Sequence, residues 1–129
     1  MKKPSKRWKE FCQIISIIDI GIGKQQRKLK KLNKQHDMLR MTITDYWQDV
    51  QTAQNKLKML NIEDEVDALK FFFRRRENIR SLIESLVFDV SVVQQELEKI
   101  ETEIAKSESE KLRLEKRKDV LDELKKQLT

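Results

Sequence analysis

The chain has 129 residues, 39% of them charged, a net charge of +6, and only two glycines and one proline. So few turn residues exclude a many-stranded sheet, and this balance is typical of long helices or a coiled coil. The sequence contains no nucleophile elbow, phosphate loop or paired metal ligands, so we expect a protein that is not an enzyme and holds no cofactor or metal.

The N-terminal segment carries the excess positive charge. Residues 1–34 hold eleven Lys and Arg against two acids, whereas the remaining residues are net −3. Such a segment is drawn to an acidic surface. Asp19 interrupts its apolar stretch and no Ala-x-Ala pattern follows, which disfavours a secretory leader. No apolar run approaches ~18 residues, so we expect no membrane span.

Helix one is predicted over about residues 5–59 by a heptad seam. Alternating steps of four and three residues from Phe11 give fifteen positions, and thirteen of them are apolar. This is a period of 3.5 residues, which is typical of a coiled coil. The exceptions, Gln25 and His36, are interpreted as register-fixing residues rather than metal ligands. Gly21 and Gly23 could kink this helix. The seam comprises Phe11, Ile15, Ile18, Ile22, Gln25, Leu29, Leu32, His36, Leu39, Ile43, Tyr46, Val50, Ala53, Leu57 and Leu60.

Helix two is predicted over about residues 62–128 by a second seam with the same steps. The seam is apolar as far as Ile104 and then alternates leucines with polar residues. Its members are Ile79, Ile83, Leu86, Val90, Val93, Leu97, Ile100, Ile104, Ser107, Lys111, Leu114, Lys118, Leu121, Lys125 and Leu128.

The break between the two seams is predicted near residues 60–61. Asn61 is a strong N-cap, and the acids at 63–65 suit the first turn of a new helix. The sequence therefore predicts an all-α fold, an antiparallel two-helix coiled-coil hairpin forming a single domain over residues 1–129. One uninterrupted helix is the competing architecture.

A fold at Asn61 also predicts which residues face each other. Ile18 would lie opposite Ile104, and residues beyond Ile104 would meet residues 1–18, where lysines from both helices coincide. Two basic stretches do not close a seam, so we expect this end to be loosely paired or completed by another protein.

Three consecutive phenylalanines near the turn form a candidate contact surface. On a helix they point about 100° apart, so a two-helix hairpin cannot bury all of them. Either at least one is exposed, or helix one bends around them. The cluster comprises Phe71, Phe72, Phe73, Arg74, Arg75 and Arg76.

These features together resemble the FliJ/YscO family of type III secretion stalk proteins. The features shared are a basic N-terminal helix, a turn near the midpoint, a longer second helix, and a charged, leucine-spaced tail at 111–118 and 120–126. The resemblance implies a cytoplasmic coiled coil, peripheral to the inner-membrane secretion apparatus, that inserts into the hexameric export ATPase without hydrolysing ATP.

The resemblance also implies partner surfaces. The end with both termini would enter the ATPase ring, promote its assembly and couple it to the export gate protein, which the cluster at Phe71–Arg76 would contact. Secretion chaperones are further implied partners, and no small-molecule substrate is expected. The residues matched to the ring contact are Lys24, Arg27, Lys28, Lys31, Arg113, Lys116, Arg117 and Lys118.

Two other functions fit the residues. One is a coiled-coil adaptor or secretion chaperone without an ATPase partner. The other is a basic nucleic-acid-binding coiled coil, which is disfavoured because the basic residues lie beside the seam rather than ahead of it.

Overall fold

The computed structural model describes residues 5–60 and 66–128, and these residues form two α-helices and no strand. Helix α1 spans Lys6–Lys58 and helix α2 spans Val66–Gln127. The helices pack against each other as an antiparallel hairpin, which confirms the predicted fold class and excludes one uninterrupted helix. Asn61 and the acids at 63–65, to which the sequence assigned the helix start, lie outside the described residues.

Helix α1 begins at a side-chain cap. The Trp8 backbone N–H donates to Ser5 Oγ at 3.0 Å, which satisfies one of the unpaired donors of the first turn. At the other end, Lys56 and Lys58 place positive charge beside the unpaired carbonyls of the last turn. The β-branched stretch 14–22 and both glycines lie within this unbroken helix.

The two predicted seams form the core. All fifteen positions of the first seam, which ends at Leu60 just beyond α1, are buried or half-buried, and so are the α2 positions from Ile79 to Lys125. Val90 is the most buried apolar side chain at 2% exposure, followed by Val50 and Ala53 at 3%. The 3.5-residue period therefore identified the packed face of each helix correctly.

The chain divides into two compact units. The terminal unit comprises described residues 5–35 and 100–128, and the internal unit comprises described residues 36–60 and 66–99. Each unit takes one segment from α1 and one from α2. The surface assigned to the ATPase ring falls in the terminal unit, and the cluster at Phe71–Arg76 falls in the internal unit.

Polar contacts fix the register of the terminal unit. Ser107 Oγ donates to Gln25 Oε1 at 2.6 Å, and both residues occupy seam positions. Lys118 Nζ lies 2.6 Å from Asp19 Oδ1 across the helix pair. Ser107 is only 2% exposed, so its hydroxyl has lost nearly all access to water and depends on this partner.

The predicted facing pair, Ile18 with Ile104, was wrong. The neighbour of Ile18 in sequence, Asp19, meets Lys118, about 14 residues or ~21 Å further along α2 than Ile104. A heptad seam fits its partner equally well after a shift of one heptad, so apolar periodicity alone does not define the pairing.

Of the two alternatives for the terminal end, loose pairing was wrong. Ile15, Ile18 and Ile22 are 8%, 5% and 9% exposed, so the seam is closed there. The observed register brings α2 residues other than the predicted ones to this end, where Lys125 lies over the ring of Trp8.

Each of the three seam lysines of α2 has a partner for its ammonium group. Lys118 pairs with Asp19, and Lys111 Nζ lies 3.7 Å from Glu115 Oε1 on its own helix. Lys125 Nζ lies 5.4 Å from the centre of the Trp8 ring, a cation–π contact. Long side chains can bury their methylenes in the seam while the ammonium group reaches its partner at the edge.

Gly21 lets the two helices approach closely. A Cβ atom at Gly21 would lie 3.2 Å from Leu114 Cδ1 of the opposite helix. A Cβ at Gly23 would meet only Arg27 Nη1, the far end of a flexible side chain, at 3.4 Å. Gly21 is therefore a packing residue, whereas Gly23 has room for a side chain.

We expect Gly23→Ala to stabilise the protein by about 1 kcal/mol, because alanine is the better helix former. Gly21→Ala should gain clearly less, since Leu114 must move aside. Urea titrations followed by circular dichroism measure both changes. An equal gain at the two positions would contradict the close packing of Gly21.

Candidate partner-binding surfaces

The α1 part of the predicted ring contact lies on the outer face of the terminal unit. Lys24, Arg27 and Lys31 are exposed and have no ion pair with another described residue. Lys28 lies nearer the helix pair, where its Nζ is 3.7 Å from Glu103 Oε2 and its side chain is 50% exposed. Three of the four α1 cations thus keep their charge available to a partner.

The α2 part is divided between available and engaged cations. Lys116 and Arg117 are exposed, and no ion pair joins either one to another described residue. Arg113 instead forms a bidentate pair with Glu110, with Nη2–Oε1 at 2.6 Å and Nε–Oε2 at 3.0 Å. This hydrogen bonding lowers the pKa of Glu110 and raises the pKa of Arg113.

Lys118 links the two helices of the hairpin and is not available to a docking partner. It occupies the seam, and its side chain is 34% exposed. The hydrogen bond to Asp19, together with the charge of that carboxylate, raises the pKa of the Lys118 ammonium. Of the eight predicted ring-contact residues, this one is the clearest candidate for a structural role.

One flank of the terminal unit is acidic. A shallow cleft of about 540 Å³ opens between the helices and carries four carboxylates around Lys118. Its lining residues are Asp19, Ile22, Gly23, Gln26, Glu115, Lys118, Asp119 and Asp122. Within residues 5–60 and 66–128, no cluster of His, Cys, Asp or Glu is arranged to hold a metal ion.

The aromatic cluster in the internal unit is exposed as predicted. Phe71 is 62% exposed and Phe73 49% exposed, whereas Phe72 is half-buried. The rings of Phe72 and Phe73 meet edge to face at 5.6 Å. Arg74 and Arg75 are exposed and Arg76 is half-buried. The exposed rings form an apolar surface beside positive charge.

Trp8, which lies among basic residues of the N-terminal segment, contacts α2. It is half-buried, with Lys125 over its ring. Its indole Nε1 is buried and has no hydrogen-bond acceptor among the described residues. Cys12 is a free cysteine and is half-buried.

Helix α1 also carries an exposed pair of isoleucines that was not predicted from the sequence. Ile17 is 68% exposed and Ile20 is 69% exposed. Both fall outside the heptad seam, and isoleucine at outer positions of a coiled coil was the signal that could have identified them. Ile17 lies two turns before Lys24, and Ile20 lies two turns before Arg27.

Neither described helix contains a segment both long and apolar enough to cross a membrane. No known protein family, curated protein or solved structure matches this chain.

Proposed function

We propose that this chain is a non-enzymatic central stalk of a type III secretion export ATPase. The observation that carries the proposal is the terminal unit, in which the N-terminal and C-terminal segments pair and present exposed cations from both helices. These cations are Lys24, Arg27, Lys31, Lys116 and Arg117. The resemblance to the FliJ/YscO family supplies the identity of the proposed partner.

In this proposal the terminal unit enters the hexameric ring on the cytoplasmic side of the inner membrane. A basic insert contacts some subunit conformations better than others, and the ring equilibrium shifts by that difference in contact free energy. The same contacts bridge subunits and promote ring assembly. Lys24, Arg27 and Lys31 form the α1 part of this surface, and Lys116 and Arg117 form the α2 part.

The internal unit supplies the proposed contact with the export gate. Phe71 and Phe73 are exposed beside Arg74 and Arg75. Aromatic and arginine side chains are enriched among residues that dominate binding energy at interfaces. Secretion chaperones are further proposed partners of the hairpin.

A coiled-coil adaptor without an ATPase partner is the second candidate function. It is favoured by further exposed apolar side chains of the internal unit, among them Met41 at 68%, Trp47 at 46% and Phe88 at 68%. Such residues are typical of protein interaction surfaces. A nucleic-acid binder is the third, and a binding constant that falls steeply with salt would identify it.

The test is to mix the full chain with the export ATPase of its own secretion system and to measure ATP turnover and oligomer size. We expect stimulation and a larger complex. Arg27→Glu with Lys31→Glu should raise the half-maximal concentration on the order of tenfold, because like charges then face the ring.

The matched control is Lys70→Glu with Lys99→Glu, which makes the same charge change at exposed positions of the internal unit. It should leave the half-maximal concentration nearly unchanged. If the unaltered chain gave neither stimulation nor a complex, the stalk proposal would be abandoned in favour of the adaptor.

A further inference from the structure

The outer face of α1 carries two parallel rows of exposed residues in the terminal unit. One row runs Ile17, Lys24, Lys31, and the other runs Ile20, Arg27, Lys34, each at a spacing of seven residues. All six side chains are exposed. Because seven residues are two helical turns, each row is nearly parallel to the α1 axis.

Both rows change from apolar to basic at the same point along the helix. Each begins with an isoleucine that is more than two-thirds exposed, and each continues with two cations. Adjacent isoleucines with nothing packed over them expose apolar area that gains free energy when a partner covers it. The face is therefore apolar at one end and basic over the next two heptads, along about 25 Å of helix.

Charge determines which partner fits this face. Lys24, Arg27 and Lys31 have no ion pair with another described residue, so an incoming carboxylate meets available cations. The acidic cleft around Asp19 and Asp122 borders the Arg27 side of this face, because a Cβ at the cleft residue Gly23 would lie 3.4 Å from Arg27 Nη1. The available cations thus favour an acidic segment on the outer face of α1, and the cleft limits where its carboxylates can lie.

We propose that the two rows, which we call the α1 docking face, bind an acidic amphipathic helix of another protein. That helix would cover Ile17 and Ile20 with apolar side chains and pair its carboxylates with the four cations. The inference deepens the proposed function, on which it rests for the choice of surface, by stating the chemistry of the bound segment. A membrane fits less well, because the broad apolar face that interfacial binding requires is already used in the hairpin seam.

The test measures binding of the full chain to two designed peptides by fluorescence anisotropy. Both have three heptads with leucine at the first and fourth positions. One carries glutamate and the other lysine on the flanking positions. We expect the acidic peptide to bind and the basic peptide not to, and we expect affinity to fall between 50 and 200 mM salt by about tenfold or more.

The variant Ile17→Gln with Ile20→Gln should weaken binding of the acidic peptide by about tenfold or more. Leu112→Gln with Val120→Gln is the matched control, because these apolar residues are 51% and 59% exposed on α2 of the same unit. The control should change binding less than about twofold, and equal losses in the two variants would overturn the docking face.

Two further probes test whether the α1 docking face binds a membrane or a nucleic acid instead of an acidic helix. They are phosphatidylserine vesicles and a 20-base-pair DNA duplex. Binding of either probe in preference to the acidic peptide would overturn the proposal. Normal ATPase stimulation with no peptide binding would overturn only the docking face, whereas peptide binding with no stimulation would overturn only the stalk function.

Discussion

Val90→Asp is expected to destabilise the hairpin by about 3–5 kcal/mol, enough to unfold it at neutral pH. Val90 is 2% exposed, and it is the most buried apolar side chain. An aspartate there would place an unpaired carboxylate between the helices, and a buried charge without a partner has a large desolvation cost. Circular dichroism against temperature and urea measures the loss.

Val92→Asp is the matched control for this prediction. Val92 lies two residues away on the same helix and is 41% exposed, so the substitution is chemically identical and differs only in burial. We expect a change within about 0.5 kcal/mol. Equal destabilisation by the two substitutions would show that helix propensity, rather than burial in the seam, governs stability here.

Gln25→Leu is the second large expected effect, with a loss of about 1–3 kcal/mol. Although leucine is apolar and occupies a seam position, the substitution removes the acceptor of the buried Ser107 hydroxyl. Ser107→Ala removes the donor instead, and it should cost less because the half-buried Gln25 amide retains some access to water.

The double variant Gln25→Leu with Ser107→Ala should lie within about 1 kcal/mol of the unaltered protein, because both members of the polar pair are then gone. Urea denaturation of all four chains completes a double-mutant cycle. If the two single losses simply added in the double variant, the hydrogen bond would contribute no coupling and could not help to set the register.

The seams were predictable from the sequence because burial in a coiled coil follows spacing alone. Gln25, Ser107 and Lys118 were placed at seam positions despite their polarity, and all three are buried or half-buried. The same spacing showed that Phe71, Phe72 and Phe73 could not all be covered, and two of them are more than 45% exposed.

The register was not predictable from spacing, because every one-heptad shift preserves the apolar contacts. The information lay in the polar seam positions. Gln25 needs a donor and Lys118 needs an acid, and only a register that supplies Ser107 and Asp19 satisfies both. The polar residues of the two seams therefore define the pairing register, whereas the position of Asn61 does not.

The candidate surfaces were predictable as regions of charge but not residue by residue. Lys24 and Lys28 were both predicted as ring contacts, yet Lys24 has no ion pair with another described residue whereas Lys28 Nζ lies 3.7 Å from Glu103 Oε2, because pairing depends on which α2 residue faces each α1 residue. Ile17 and Ile20 were not predicted as a surface, because the heptad period identifies only the residues that pack in the seam.

The antiparallel pairing of the chain with itself is tested most directly by a distance within one molecule. Spin labels at Gln13→Cys and Lys116→Cys, in a Cys12→Ser background, occupy exposed positions of the terminal unit. Diluting labelled chains with unlabelled ones isolates the intramolecular distance in a double electron–electron resonance measurement. We predict a distance of about 20–35 Å, given helix axes ~10 Å apart. A separation near the ~155 Å of a continuous helix, or a short distance that disappears on dilution, would contradict the hairpin.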